Sequence, residues 1–145
     1  MRRIDQIIVH CTATPAGRET SVDEIRSWHL KRGFSDIGYH FVIGLDGCIE
    51  DGRPIEKIGA HCKGKNRHSI GICYVGGMDK EMKNWIDTRT PEQCLALEEL
   101  LWQLKGMFPH AGIYGHNNFS TKACPSFDAV EEFKHITNQN DAHNV

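Results

Sequence analysis

The chain has 145 residues, 39% of them hydrophobic and 25% charged, a balance typical of one globular domain and not of a disordered or membrane protein. Seventeen Lys and Arg side chains oppose nineteen Asp and Glu side chains, giving a net charge of −2. The sequence has no basic run that could follow a phosphate backbone, so nucleic acid is not an expected partner.

The amino-terminal segment predicts a buried strand. Residues 4–9 include a short apolar run that ends at His10, and a loop containing Thr, Pro and Gly follows. This pattern places His10 at the carboxyl end of the predicted strand. The apolar stretch 7–9 is too short for the core of a signal peptide, so we expect synthesis in the cytoplasm without one.

A helix and a hairpin are predicted next. Residues 21–24 have the form of a capping box, and apolar side chains at helical spacing continue until Gly33 ends the pattern. The Asp-Gly pair within residues 44–47 predicts the turn of a hairpin between strands at 39–43 and 48–51.

The second half of the chain predicts a central strand and two further helices. Residues 70–75 form a near-continuous apolar run, which is typical of a strand buried on both faces. Thr-Pro-Glu-Gln at 90–93 is a strong helix start, and apolar residues at helical spacing follow it. Residues 113–115 predict a short strand directly before His116, and Asp128 is the expected N-cap of a last helix.

Together these elements predict an α/β fold, a single domain with a mixed central β-sheet flanked by helices. The domain is expected to span residues 1–137, with a polar C-terminal tail at 138–145, and a monomer is the ordinary expectation.

Most of the six cysteines are expected to be reduced, because the chain has a full-sized core and no predicted signal peptide. Cys73 and Cys94 are predicted to be small core hydrophobes.

Two histidines and one cysteine are candidates for a metal site. His10 and His116 each follow a short predicted strand, and Cys124 lies eight residues after His116. Two imidazoles and a thiolate could bind zinc, and a catalytic zinc needs three protein ligands so that a fourth position stays open for water. The zincin sequence His-Glu-x-x-His is absent, so acid and base groups must come from elsewhere. Tyr39 and Lys122 are candidates, because a phenol and an ammonium can donate hydrogen bonds to a developing oxyanion.

On residue types alone, side chains of these kinds are more often ordinary loop, core or surface residues. Six separated blocks of sequence are more specific. They are Val-His-Cys-Thr-Ala-Thr at 9–14, Gly-Tyr-His-Phe at 38–41, Ala-His-Cys-Lys-Gly-Lys-Asn at 60–66, Ser-Ile-Gly-Ile at 69–72, Gly-Gly at 76–77 and Lys-Ala-Cys-Pro-Ser-Phe-Asp at 122–128. In this order and spacing they resemble the type 2 N-acetylmuramoyl-L-alanine amidases, especially the phage-lysozyme type, which are relatives of the peptidoglycan recognition proteins.

The resemblance covers residues 4–133 and implies a function with named residues. The implied reaction is hydrolysis of the amide bond between N-acetylmuramic acid and the L-alanine of the stem peptide, so the expected partners are the peptidoglycan glycan and stem peptide, with no membrane. The implied ligands of one catalytic zinc ion are His10, His116 and Cys124. The implied catalytic residues are Tyr39 and Lys122, and the implied substrate-binding residue is His61.

Two stretches depart from the family pattern. Many members have Gly-His-Arg-Asp where this chain has Gly-His-Asn-Asn at 115–118. Residues 78–89 do not match the pattern well and are predicted to form a variable surface loop.

Other interpretations remain open. A non-catalytic recognition module would bind stem peptides without cutting them, although such modules often lack the cysteine that this chain has at position 124. An amidase with a regulatory role would bind another protein of its phage or host, and a purely structural zinc domain would ordinarily need four ligands. The sequence does not separate a phage or prophage endolysin released through a holin from an effector exported by another route, and it leaves the stem-peptide type open.

Overall fold

A five-stranded mixed sheet lies at the centre of the fold in the computed structural model, which describes residues 1–137. The tail predicted at 138–145 lies outside the described residues. The strands are β1 (Gln6–Cys11), β2 (Thr14–Pro15), β3 (Phe41–Ile43), β4 (Ile49–Asp51), β5 (Ser69–Tyr74), β6 (Gly77–Met78) and β7 (Gly112–Gly115). The helices are α1 (Val22–Lys31), α2 (Pro91–Met107) and α3 (Ala129–Glu132).

The strand order of the sheet is β4-β3-β5-β1-β7. Strands β3, β5, β1 and β7 run parallel to one another, and the edge strand β4 is antiparallel to β3. The short strands β2 and β6 form a separate parallel pair. The predicted mixed sheet and the predicted hairpin are therefore confirmed. Because β1 lies between two parallel strands, the carboxyl ends of β5, β1 and β7 meet at one edge, where open α/β sheets place their ligands.

Strand β1 differs slightly from its prediction. It begins at Gln6 and continues to Cys11, so His10 lies within the strand instead of after it. His10 pairs in register with Cys73 of β5, which is fully buried, as predicted for Cys73. The pairing of His10 with β5, and of the preceding Val9 with Gly115 of β7, therefore fixes the backbone that carries His10.

Helix α2 covers one face of the sheet and begins as predicted. The Thr90 hydroxyl accepts the backbone N–H of Gln93, and the Gln93 side chain accepts that of Thr90. The same Gln93 side chain is buried and donates to the carbonyl oxygens of Ile43, the last residue of β3, and Val75, the residue that follows β5. It therefore occupies the inward position at this turn of the helix. The prediction for Cys94 is wrong, because the next residue points outward and its side chain is exposed.

Helix α1 packs on the other face of the sheet. Its N-cap is Ser21, whose hydroxyl accepts the backbone N–H of Glu24 at 3.1 Å. Val22 and Ile25 pack in a second apolar cluster that includes Val42 of β3. No helix within residues 1–137 is long and apolar enough to cross a membrane.

Candidate metal centre and cleft

The three predicted metal ligands lie together at the carboxyl edge of the sheet. His10 is the penultimate residue of β1, and His116 directly follows β7. Val9 of β1 pairs with Gly115 of β7, and the next residues in the chain are His10 and His116. The two histidines therefore lie side by side, with ring centroids 4.7 Å apart. With Cys124 they form a group whose ligand atoms all lie within 4.8 Å of one another.

The loop that carries Cys124 is held against the sheet by hydrogen bonds. The backbone N–H of Cys11 donates to Cys124 Sγ at 3.1 Å, and the Tyr74 hydroxyl donates to the carbonyl oxygen of Pro125 at 2.7 Å. Hydrogen bonding with the Cys11 thiol and burial raise the pKa of Cys124. The side chain is therefore a thiol at neutral pH, and a metal ion that binds it must displace a proton.

His61 lies directly behind His10. Nε2 of His10 is 2.8 Å from Nδ1 of His61, and Nε2 of His61 is 3.1 Å from the Ser69 hydroxyl. The His61 ring packs flat against the backbone of Gly71, where a Cβ atom would lie 2.6 Å from the ring. Burial lowers the pKa of His61 to about 3, and burial together with the charges of His61 and His116 places the pKa of His10 well below its ordinary value. Both rings are therefore neutral at neutral pH, the form in which imidazole binds metals.

The two predicted catalytic residues flank the metal-ligand group. The ring of the half-buried Tyr39 lies with its centroid 5.2 Å from that of His10. Burial raises the pKa of Tyr39, so its hydroxyl stays protonated and can act as a donor. Lys122 is exposed. The pKa of His116 is lowered first by the burial of its own ring and second by the positive charge of Lys122. All six predicted site residues line one cleft, although the residues differ in depth.

This metal-centre cleft has a volume of about 840 Å³. Its rim includes side chains that the sequence analysis did not single out, and these are Arg32, Phe34, Lys63, Trp85 and Phe119. Lys63 falls within a block that carries the family resemblance, so its position in the motif was an available signal. The other four come from turns and loops, where neither periodicity nor a motif marks a side chain as facing a cleft.

Comparison with known proteins agrees with this geometry. Residues 1–127 match the family described as N-acetylmuramoyl-L-alanine amidase. The endolysin of Enterobacteria phage K11 is 46% identical over 123 residues, which are 85% of this chain and 81% of that protein.

Two solved structures share the fold. The N-acetylmuramoyl-L-alanine amidase LysC from Clostridium intestinale URNW superposes with a TM-score of 0.77 at 27% identity, covering 97% of this chain and 87% of that one. The ectodomain complex of peptidoglycan recognition proteins LCa and LCx bound to tracheal cytotoxin gives a TM-score of 0.74 at 27% identity, covering 92% and 82%. This chain therefore belongs to the N-acetylmuramoyl-L-alanine amidase family and is a peptidoglycan amide hydrolase.

Proposed function

We propose that this amidase cuts the bond between the lactyl carbonyl of N-acetylmuramic acid and the amino group of L-alanine, with one zinc ion held by His10, His116 and Cys124. The observation that carries the proposal is the convergence of these ligand atoms within 4.8 Å of one another. Two neutral imidazoles and one thiolate fit a catalytic zinc site, because three protein ligands leave one position for water. When bound, zinc supplies Lewis acidity that polarises a carbonyl and lowers the pKa of water.

In this proposal His61 positions His10. With a proton on Nε2 of each ring, His10 donates to His61 at 2.8 Å and His61 donates to the Ser69 hydroxyl at 3.1 Å. Nδ1 of His10 then keeps its lone pair for the metal. Both nitrogens of His61 are occupied in this arrangement, so only the carbon edge of its ring is left for the substrate contact that the family resemblance implies.

Tyr39 and Lys122 act on the reacting amide. Negative charge grows on the carbonyl oxygen as water attacks, and the Lys122 ammonium is a donor that can stabilise it. The Tyr39 hydroxyl, which burial keeps protonated, either orients the attacking water or assists proton transfer to the leaving amine.

The substrate class is supported by the charge of the cleft. Arg32, Lys63 and Lys122 line it, and the stem peptide of peptidoglycan carries several carboxylates. Opposite charges of this kind favour binding and orientation of the peptide in the cleft. We propose a monomer that acts on the cell wall, reached through a holin or by another export route.

Purified sacculi provide the direct test. The zinc-loaded protein should release new amino termini of L-alanine, identified by mass, and a chelator should abolish this release until zinc is restored. New termini that persist in chelator would contradict the zinc requirement. Binding to sacculi without new termini would contradict amide hydrolysis and favour a recognition module.

A further inference from the structure

A second cleft, of about 470 Å³, adjoins the metal-centre cleft and shares one wall with it. Trp85 is the shared wall, because its side chain lines both clefts. The other lining residues of the second cleft are Asn117, Asn118, Ala123, Ser126, Phe127 and Asp128.

Two lining residues of the second cleft are sequence neighbours of the proposed metal ligands. Asn117 directly follows His116, and Ala123 directly precedes Cys124. Adjacent residues have Cα atoms about 3.8 Å apart. A group joined to an amide at the metal centre therefore needs only a short connection to reach the second cleft.

The two clefts differ in charge. The metal-centre cleft is lined by the cations Arg32, Lys63 and Lys122. Within residues 1–137 the lining of the second cleft contains no Lys, Arg or His and consists of two aromatic rings, two amides, a hydroxyl, a methyl group and a carboxylate. A ligand site with aromatic surface and a few polar groups suits a neutral sugar better than an anionic peptide.

The two parts of the substrate also differ in charge. Its stem peptide carries carboxylates, whereas its glycan strand is neutral because the lactyl carboxyl group is consumed in the scissile amide. The strand also presents N-acetyl carbonyl oxygens, which need donors. In Asn118 the side-chain oxygen accepts the Gly115 N–H at 2.8 Å, and no hydrogen bond in the described part of the chain uses its amino group. That amino group is available to donate to an acetyl carbonyl oxygen.

Trp85 is suited to act as a fixed platform. It forms an antiparallel bridge with the buried Met78, and the next residue, Ile86, donates its N–H to the carbonyl oxygen of Gly77 at 3.1 Å. The side chain is nevertheless 39% exposed. A large ring on a held backbone offers its face to a ligand at little cost in conformational entropy.

We propose that the second cleft is a glycan subsite, in which a neutral N-acetylated sugar ring of the glycan strand stacks on Trp85 while the stem peptide occupies the basic metal-centre cleft. The inference rests on the proposed function, because it takes the scissile amide to lie at the metal centre. Trp85 is thus a substrate-positioning residue within segment 78–89.

Nuclear magnetic resonance can test the subsite without catalysis. The chain has three tryptophans, Trp28, Trp85 and Trp102, and so three indole N–H signals; Trp85→Phe identifies the relevant one. The zinc-loaded protein is titrated with a peptide-free oligomer of N-acetylglucosamine and, separately, with the free stem peptide. The sugar should shift the Trp85 signal and leave the Trp102 signal in place. A Trp85 signal that the sugar does not move, or that only the peptide moves, overturns the proposal.

Kinetics on glycan-linked muramoyl peptides provide the second test. Trp85→Ala should lower kcat/KM about tenfold, mainly through KM, and Trp85→Phe should retain most of the activity. The matched control is Trp102→Ala, since Trp102 is 37% exposed, lies on α2 and lines neither cleft. An equal loss in both alanine variants, or none in Trp85→Ala, overturns the subsite. Failure of the wild-type protein to release L-alanine termini contradicts the proposed function instead, because the sugar titration does not depend on cleavage.

Discussion

Replacing His61 with alanine should weaken zinc binding by about 10- to 100-fold, the usual effect of removing a group that orients a metal-bound histidine. His10 is 1% exposed, and its Nε2 has His61 as its partner at 2.8 Å. In the zinc complex of His61→Ala the Nε2–H of His10 would be buried without an acceptor, which costs about 1–3 kcal/mol. The metal-free variant can avoid that cost by moving the proton to Nδ1 or turning the ring. The cost falls only on the zinc complex and therefore weakens zinc binding. A cost of about 1.4 kcal/mol raises the dissociation constant about tenfold.

Zinc affinity is measured by competition with a chromophoric chelator, and urea unfolding of the metal-free proteins checks the fold. His61→Asn should recover part of the affinity, because its side-chain oxygen can replace Nδ1 as an acceptor. Ser69→Ala should have a smaller effect, since it removes only the second hydrogen bond of the pair. His135→Ala is the control, because His135 is exposed and pairs with Glu98. Unchanged zinc affinity in a natively folded His61→Ala protein would refute the positioning role.

Three further substitutions test the remaining site residues, and one pH series tests a buried histidine. Cys124→Ser should lose zinc and activity together, because a serine hydroxyl is not readily ionised; metal analysis should find full zinc in Cys94→Ser, whose thiol is exposed. Tyr39→Phe and Lys122→Ala should keep zinc but lose about 10²- to 10³-fold in kcat, and near-normal turnover in both would contradict their assignment. Burial lowers the pKa of His40 from 6.5 to about 4 in the folded protein, so the unfolded state binds its proton more tightly. The contribution of neutral His40 to the free energy of unfolding is therefore complete above pH 6.5 and is lost as the pH falls toward 4. The free energy of urea unfolding should decline across this window, and less steeply in His40→Gln.

Local signals in the sequence predicted most elements of the fold. The Asp-Gly turn and the capping box at Thr90 depend on neighbouring residues, and both form as expected. The error at Cys94 arose because helical spacing alone does not fix which residue at the edge of an apolar stripe faces the core. The hydrogen bonds of Gln93 to Ile43 at the end of β3 and to Val75 just after β5 decide this position, and they depend on how the helix packs on the sheet.

The site was less accessible to reasoning from residues alone. Spacing nominated His10, His116 and Cys124, but only the resemblance to a family distinguished them from ordinary loop and core residues. The contact between His61 and His10 joins positions 51 residues apart in sequence, and no local pattern indicates it. The proposed role of Trp85 has no signal in the sequence either, because it depends on the two clefts that this residue lines.

In this fold the proposed metal ligands are held by strands, whereas residues of the proposed glycan subsite lie in loops. Strand β1 carries His10, and its last residue, Cys11, donates the backbone N–H that holds Cys124. The neighbouring β7 leads directly to His116. The proposed metal ligands are thus positioned by β1, which is buried except at its first residue, and by the neighbouring β7. Trp85 and Asn118, in contrast, lie in the two stretches that depart from the family pattern, and both line the second cleft. If the proposed subsite binds the glycan, changes there can alter which glycan is bound without disturbing the proposed metal ligands, because loops tolerate substitution better than the strands that position the reacting groups.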